Sequence, residues 1–123
     1  MSICVIPARS GSKRIKNKNI KYFNEKQIIR YSIEAAKKTK LFSNINISSE
    51  SNKIKEVVNR IPKTYFLQRP KYLSLDRTPT RPVIKHALLE YSKNNKMPNY
   101  VCYITSTAPF LKSKDILNAF QIL

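Results

Sequence analysis

The stretch ICVIPARSGSKRIKNKN, residues 3–19, decides the fold. Residues 3–7 form a short apolar run that ends at Pro7, which favours a buried strand over a helix. Residues 8–19 then contain one glycine, two serines and five Lys or Arg residues, with no apolar period. A loop is therefore predicted there, and its cations follow the carboxyl end of the first strand.

Strand and helix patterns alternate along the rest of the chain. Further strands are predicted at residues 44–48, 65–67 and 100–105, where apolar side chains cluster in short runs. A helix is predicted over residues 27–40, with Ile29, Ile33 and Ala36 on its buried face. A second helical stripe, stopped by Pro62, is formed by Ile54, Val57, Val58 and Ile61.

Two more helices are predicted in the second half of the chain. Thr78 is expected to be the N-cap of the third helix, with Pro79 at its first helical position. Its buried face is formed by Val83, Ile84, Ala87, Leu88 and Tyr91, and residues 92–98 end it. The last helix begins near Lys112, and its apolar side chains are Ile116, Ala119, Phe120 and Leu123.

This alternation predicts one α/β domain over residues 1–123, with a mostly parallel sheet and helices on both faces. In such folds the ligand binds outside the carboxyl ends of the strands. The segments that could contact a ligand are therefore residues 8–19, 48–50, 67–80 and 105–112.

The charge of the chain permits a polyanionic partner. The sequence has 24 Lys and Arg residues but only 7 Asp and Glu residues, which gives a formal charge of +17. The 17 lysines are spread along the whole chain, however, beside 15 Ile, 11 Asn and a single Gly. This mixture favours a compositional bias over a focused basic stripe, so no specific nucleic-acid partner is expected. A basic module that binds nucleic acid or anionic surfaces remains the alternative.

The sequence also predicts where the protein is located in the cell and which polar and aromatic side chains belong to the core. No apolar run approaches the roughly 18 residues of a membrane span, and the N-terminus lacks the features of a signal peptide. A cytoplasmic chain without membrane contact is expected. Cys4 and Cys102 lie in apolar runs, which predicts reduced packing thiols. Packing roles are also expected for His86, Tyr31, Tyr91, Tyr100 and Tyr103.

The first loop is a candidate phosphate-binding loop. A glycine, hydroxyl groups and several cations directly after a strand can surround a phosphate with N–H groups and neutralise its charge. The loop matches neither the P-loop pattern nor the three-glycine dinucleotide fingerprint. A solvated basic loop is the alternative.

Several motifs, in order, resemble the CMP-sialic acid synthetase family, the cytidylyltransferases of nine-carbon acidic sugars. The resemblance lies in Ile6-Pro7-Ala8-Arg9-x-Gly11-Ser12-Lys13, Lys18-Asn19-Ile20, residues 31–36, Leu41-Phe42, Ser48-Ser49-Glu50, Arg69-Pro70 and Thr78-Pro79-Thr80. Ala108-Pro109-Phe110-Leu111 resembles the branch that activates pseudaminic acid. The 123 residues align with roughly the N-terminal half of the family, so a truncated Rossmann-like domain of the nucleotide-diphospho-sugar transferase type is expected.

The resemblance implies that a hydroxyl of a nine-carbon acidic sugar, pseudaminic or sialic acid, attacks the α-phosphate of CTP and releases pyrophosphate. It assigns catalytic contacts to Arg9, Lys13 and Lys18. It assigns nucleotide binding to Arg9, Gly11, Ser12, Lys13, Lys18, Asn19, Arg69 and Thr80. Asp76 lies in the same loop as Arg69 but is given only a minor role. A transferase that uses another base remains a further alternative.

The sequence also departs from the family pattern. Ser10 stands where the family usually has Gly, Lys16 and Asn17 replace a common Pro-x pair, Glu50 replaces an Asp, and Thr105 replaces a base-reading Gln of the sialic acid branch. The family implies Mg²⁺ bound by aspartates of its C-terminal half. The seven acids here show no Asp-x-Asp spacing, so no metal ligands are predicted on this chain. A homodimer or a missing C-terminal half is implied as partner, and the chain alone is expected to be weakly active or inactive.

Overall fold

A computed structural model describes residues 1–11 and 17–123. The strands are β1 Ser2–Pro7, β2 Tyr22–Phe23, β3 Lys26–Gln27, β4 Phe42–Ser49, β5 Thr64–Gln68 and β6 Tyr100–Tyr103. The α-helices are α1 Ile28–Thr39, α2 Asn52–Asn59, α3 Thr80–Ser92 and α4 Ser113–Ile122. Two short 3-10 helices lie at Lys18–Ile20 and Lys71–Leu73.

The central sheet has the strand order β5-β4-β1-β6 in the described part of the chain, and each neighbouring pair is parallel. Because side chains alternate along a strand, β1 packs against helices on both faces. Cys4 and Ile6 belong to a core with residues of α1, α2 and α4, while Ile3 and Val5 pack with Ala87 and Tyr91 of α3. The predicted parallel sheet with helices on both faces is confirmed. None of the helices in residues 1–11 and 17–123 is long and apolar enough to span a membrane.

The start of α3 differs from its prediction. The helix begins at Thr80, and Pro79 stands before it with extended backbone, so Thr78 is not the N-cap. Its hydroxyl oxygen accepts a hydrogen bond from the backbone N–H of Leu75 at 3.0 Å instead. A threonine hydroxyl can stabilise a turn as well as a helix start, and the Thr-Pro pattern does not distinguish the two.

The last helix buries only part of its apolar stripe. Ile116 is buried, but Ala119, Phe120 and Leu123 are exposed. The ring of Phe120 lies edge-on to Tyr100 of β6, with 6.1 Å between ring centroids. The helix predicted from the apolar period is present as α4, and its burial is confined to the residues near its start.

A short antiparallel hairpin of β2 and β3 lies between β1 and α1, where no strand was predicted. Each strand has two residues, too few for an alternating pattern to be visible in the sequence. Asn24 in the turn has a φ of 59°, in the left-handed region that asparagine tolerates. The hydroxyl of Tyr31 donates a hydrogen bond to the carbonyl of Phe23 at 2.5 Å, which ties the hairpin to α1.

The two cysteines are paired in register across β1 and β6, and both are free thiols. A hydrogen bond with Cys102, together with burial, raises the pKa of Cys4. The same hydrogen bond lowers the pKa of Cys102, which is only partly buried. Because the thiolate is the nucleophile, we expect the Cys102 thiol to be the more reactive of the two.

We expect a limiting amount of iodoacetamide to modify Cys102 at least about tenfold faster than Cys4 in the folded protein. Peptide mass spectrometry after timed quenching measures both rates. Cys102→Ser should remove nearly all labelling under native conditions, and the two rates should converge in 6 M urea. Equal native rates would contradict the thiol arrangement described above.

Candidate functional site

A cleft of about 220 Å³ lies at the carboxyl ends of β1, β5 and β6 and reaches the start of α3. Its wall includes Arg9, Gly11, Lys18, Asn19, Arg69 and Thr80, which are six of the eight residues that the sequence assigned to the site. The other two, Ser12 and Lys13, lie outside the described residues, as does Lys16. The strand ends thus gather residues from segments that are far apart in sequence.

Arg9 lies two residues after the end of β1 and forms an ion pair with Asp76, with 2.7 Å between Nη1 and Oδ1. Both side chains are partly exposed, at 31% for Arg9 and 40% for Asp76. Gly11 leaves space for this head group, because a Cβ at that position would stand 3.2 Å from Nη1 of Arg9. A cation and a carboxylate therefore meet in the cleft wall.

Asn19 connects the first loop to the end of β6. Its side chain is nearly buried, with 6% of the residue exposed. The amide nitrogen donates to the backbone carbonyl of Arg9 at 2.7 Å, and the amide oxygen accepts a hydrogen bond from the hydroxyl of Ser106. Asn19 thus holds the backbone at Arg9 in place, while neighbouring Lys18 is exposed in the same wall.

Arg69 follows β5 and is 3% exposed. Nη1 donates to the carbonyl of Leu73 at 3.1 Å and Nη2 donates to the carbonyl of Ser48 at 3.1 Å. Burial lowers the pKa of this guanidinium, and the nearby Glu50 carboxylate opposes that shift. Arg69 therefore connects the end of β4 to the second 3-10 helix from within the cleft wall.

Other cleft residues were not assigned a role by sequence reasoning. The run Thr105-Ser106-Thr107 follows β6 and lines the cleft, and Ser32 of α1 donates a hydrogen bond to the carbonyl of Thr105 at 2.7 Å. Tyr103, expected to be a packing aromatic, is 36% exposed and also lines the cleft. The run lies at the end of the strand that was predicted over residues 100–105, and this position indicated the segment without identifying the contacts of each residue.

Comparisons with known proteins identify the family of the chain. A family model described as cytidylyltransferase matches residues 3–123. The chain belongs to the cytidylyltransferase family. The resemblance drawn from its sequence motifs is thereby confirmed.

Two curated relatives place this cytidylyltransferase chain among proteins that are named for acidic sugars. It is 39% identical over 116 residues to the pseudaminic acid cytidylyltransferase of Campylobacter jejuni, covering 94% of this chain and 50% of that protein. It is 33% identical over 123 residues to the N-acylneuraminate cytidylyltransferase of Escherichia coli, covering 98% of this chain and 27% of that protein. The chain thus spans half or less of the length of these relatives.

Solved structures confirm the cytidylyltransferase fold. A CMP:2-keto-3-deoxy-manno-octonic acid synthetase complexed with CTP superposes with a TM-score of 0.76 at 16% identity, covering 98% of this chain and 46% of that chain. A Mycobacterium tuberculosis protein in complex with manganese superposes with a TM-score of 0.67 at 7% identity, covering 98% of this chain and 58% of that chain. Identities this low support the fold alone.

The family implies a divalent metal, and the described residues do not fit one. Within residues 1–11 and 17–123, no three His, Cys, Asp or Glu side chains gather to hold an ion. Asp76 forms an ion pair with Arg9, and the carboxylate of Glu50 accepts hydrogen bonds from Ser10. A hard cation such as Mg²⁺ prefers several oxygen ligands, which this arrangement does not supply.

Proposed function

We propose that the chain binds CTP in this cleft, as the nucleotide-binding part of a cytidylyltransferase that activates a nine-carbon acidic sugar. The observation that supports the proposal best is the position of Arg9, Lys18 and Asn19 in one cleft at the strand ends of a chain that the family model matches from residue 3 to 123. Pseudaminic and sialic acids are the proposed substrates because the curated relatives are named for them.

In the proposed reaction a hydroxyl oxygen of the sugar attacks the α-phosphorus of CTP. A new P–O bond forms, the bond to the β-phosphate oxygen breaks, and pyrophosphate leaves while the hydroxyl proton passes to a base. Positioning and charge neutralisation dominate such chemistry. We assign phosphate contacts to Arg9, Lys13 and Lys18, with Gly11 and Ser12 supplying backbone N–H groups.

The remaining assignments concern the nucleoside and the partners. Thr80 at the start of α3 and the hydroxyls after β6 line the same cleft, and we assign them to contacts with ribose and base. Mg²⁺ is the proposed metal of the complete reaction. We assign no residue of this chain as a ligand of that metal. A homodimer or a further half of the protein is the proposed partner, in the cytoplasm.

Titration calorimetry of the whole chain tests the proposal, with CTP, UTP and ATP as ligands at the same salt concentration. We expect heat of binding with CTP and at least about tenfold weaker binding of ATP, whose larger base changes the fit to the cleft. The absence of measurable binding of CTP would contradict the proposed function. Tighter binding of UTP or ATP than of CTP would favour the transferase with another base.

The charge of +17 supports the second candidate, a basic module for nucleic acid. For scattered lysines we expect only counterion-release affinity, so binding to a random-sequence DNA duplex should disappear near 200 mM salt. A fluorescence anisotropy titration at increasing salt measures this. A sequence-selective complex that survives 200 mM salt would favour the nucleic-acid module over the enzyme.

The ion pair of Arg9 and Asp76 leads to a prediction about affinity. Asp76 forms an ion pair with the guanidinium that would bind a phosphate and therefore competes with the nucleotide. Asp76→Asn should strengthen CTP binding about two- to fivefold, which corresponds to the free energy of a partly exposed ion pair. Calorimetry with CTP measures the change, and Glu56→Gln on the exposed face of α2 is the charge-matched control. Weaker binding by Asp76→Asn would mean that Asp76 itself contacts the nucleotide.

A further inference from the structure

Glu50 contacts the first loop but is absent from the described cleft wall. Its Oε1 accepts a hydrogen bond from the backbone N–H of Ser10 at 2.8 Å, and its Oε2 accepts one from the hydroxyl of Ser10 at 3.3 Å. One residue of the loop thus donates twice to one carboxylate. Both positions are places where the sequence departs from the family pattern.

The Arg9–Ser10 peptide group is held from both sides. Its carbonyl oxygen, on Arg9, accepts a hydrogen bond from Asn19 at 2.7 Å, and its N–H, on Ser10, donates to Glu50. Since a peptide unit is planar, fixing both of its polar ends fixes the orientation of the plane. The Cα atoms of Arg9 and Ser10 lie in that plane, so their positions are restrained as well.

Glu50 is itself on a rigid support. It lies between Ser49, the buried last residue of β4, and Ser51, the N-cap of α2. The hydroxyl of Ser51 accepts a hydrogen bond from the backbone N–H of Ile54 at 3.3 Å, and the hydroxyl of Ser49 accepts one from the backbone N–H of Ser51 at 3.1 Å. The backbone on both sides of Glu50 is therefore fixed, and its carboxylate can restrain a loop that begins one strand away.

We propose that Glu50 is a positioning residue: through Ser10 it fixes the Arg9–Ser10 peptide and so aims Arg9 and the N–H groups that follow at the nucleotide phosphates. This inference rests on the proposed function. Glu50 acts without contacting the nucleotide, which is consistent with a negative charge placed behind the phosphate site rather than within it. The effect should therefore grow with the number of phosphates on the ligand.

The test compares Glu50→Ala, which removes both acceptor oxygens, with Glu50→Gln, which keeps one, and with Glu56→Ala as the control. Glu56 is a glutamate like Glu50, and it is exposed on α2. The first measurement is hydrogen exchange of the Ser10 amide by NMR. We expect exchange at least about tenfold faster in Glu50→Ala, a smaller increase in Glu50→Gln and no change in Glu56→Ala.

The second measurement is the affinity for CTP and for CMP by calorimetry. We expect Glu50→Ala to weaken CTP binding at least about tenfold and CMP binding less than about threefold, with Glu50→Gln between it and the wild type. An equal loss for both ligands would indicate a merely structural role and overturn the proposal. Unchanged exchange of the Ser10 amide would also overturn it.

The two measurements separate this inference from the proposed function. If the wild-type chain binds neither CTP nor CMP, the proposed function fails and the positioning role fails with it. Hydrogen exchange would still show whether Glu50 holds the peptide, because that measurement needs no nucleotide. Faster exchange together with the selective loss of CTP affinity supports the proposal.

Discussion

Replacing Arg9 and Lys13 together by alanine is expected to abolish CTP binding by the chain. Arg9 lies in the cleft wall, and Lys13 is assigned by the family motif. A charge-assisted hydrogen bond to phosphate contributes about 1.5–3 kcal/mol, so the loss of two such contacts weakens binding by about 10²- to 10⁴-fold. Titration calorimetry with CTP measures the loss directly.

The control for this double variant must remove the same charge elsewhere. Lys53→Ala with Arg60→Ala serves, because both side chains are exposed at α2 and lie outside the described cleft wall. If long-range attraction by the net charge of +17 dominated, both double variants would lose affinity to a similar extent. Full CTP affinity in the Arg9 and Lys13 variant would overturn the assignment of the phosphate loop.

The fold was predictable because its main elements have clear periodicity. The apolar run before Pro7 and the stripe of Ile29, Ile33 and Ala36 each specified one element and its buried face, and the structure buries all three stripe residues. The hairpin of β2 and β3 was missed because its stability comes from tertiary contacts, such as the hydrogen bond of Tyr31 to Phe23, which leave no local pattern. The apolar period of α4 predicted the helix but not which of its apolar residues are buried, because the period reports which residues share a face and does not report what covers that face.

The location of the candidate site was also predictable, while the individual contacts were not. Strand-end topology placed the first loop and the segment after β6 at one edge of the sheet. The contacts of Asn19 with Ser106, of Arg9 with Asp76 and of Glu50 with Ser10 span 87, 67 and 40 residues of sequence, and the periodicity of a segment contains no information on such distant partners. Sequence motifs therefore identified residues that the cleft contains, and only the structure shows which of them hold the backbone in place.

Arg69 illustrates the difference between a residue that binds the nucleotide and a residue that holds the backbone in place. The family motif assigned it to nucleotide binding, yet its guanidinium donates to the carbonyls of Ser48 and Leu73 and is almost completely buried. Arg69→Ala would remove a hydrogen bond to each of two carbonyls and leave a cavity beside them; the carbonyl of Ser48 would keep the bond from the backbone N–H of Ala8 at 2.8 Å. We expect the free energy of unfolding to fall by about 2–4 kcal/mol.

Urea denaturation followed by circular dichroism measures this change, with Arg60→Ala at an exposed position expected to shift stability by less than about 0.5 kcal/mol. Arg69→Lys should recover only part of the loss, because a single ammonium group lacks the planar fork that reaches both carbonyls. If Arg69→Ala left the unfolding free energy unchanged and reduced only CTP affinity, Arg69 would be a nucleotide ligand and its two backbone hydrogen bonds would contribute little. Since the guanidinium is almost completely buried and donates to two backbone carbonyls, we expect the stability loss to be the larger effect.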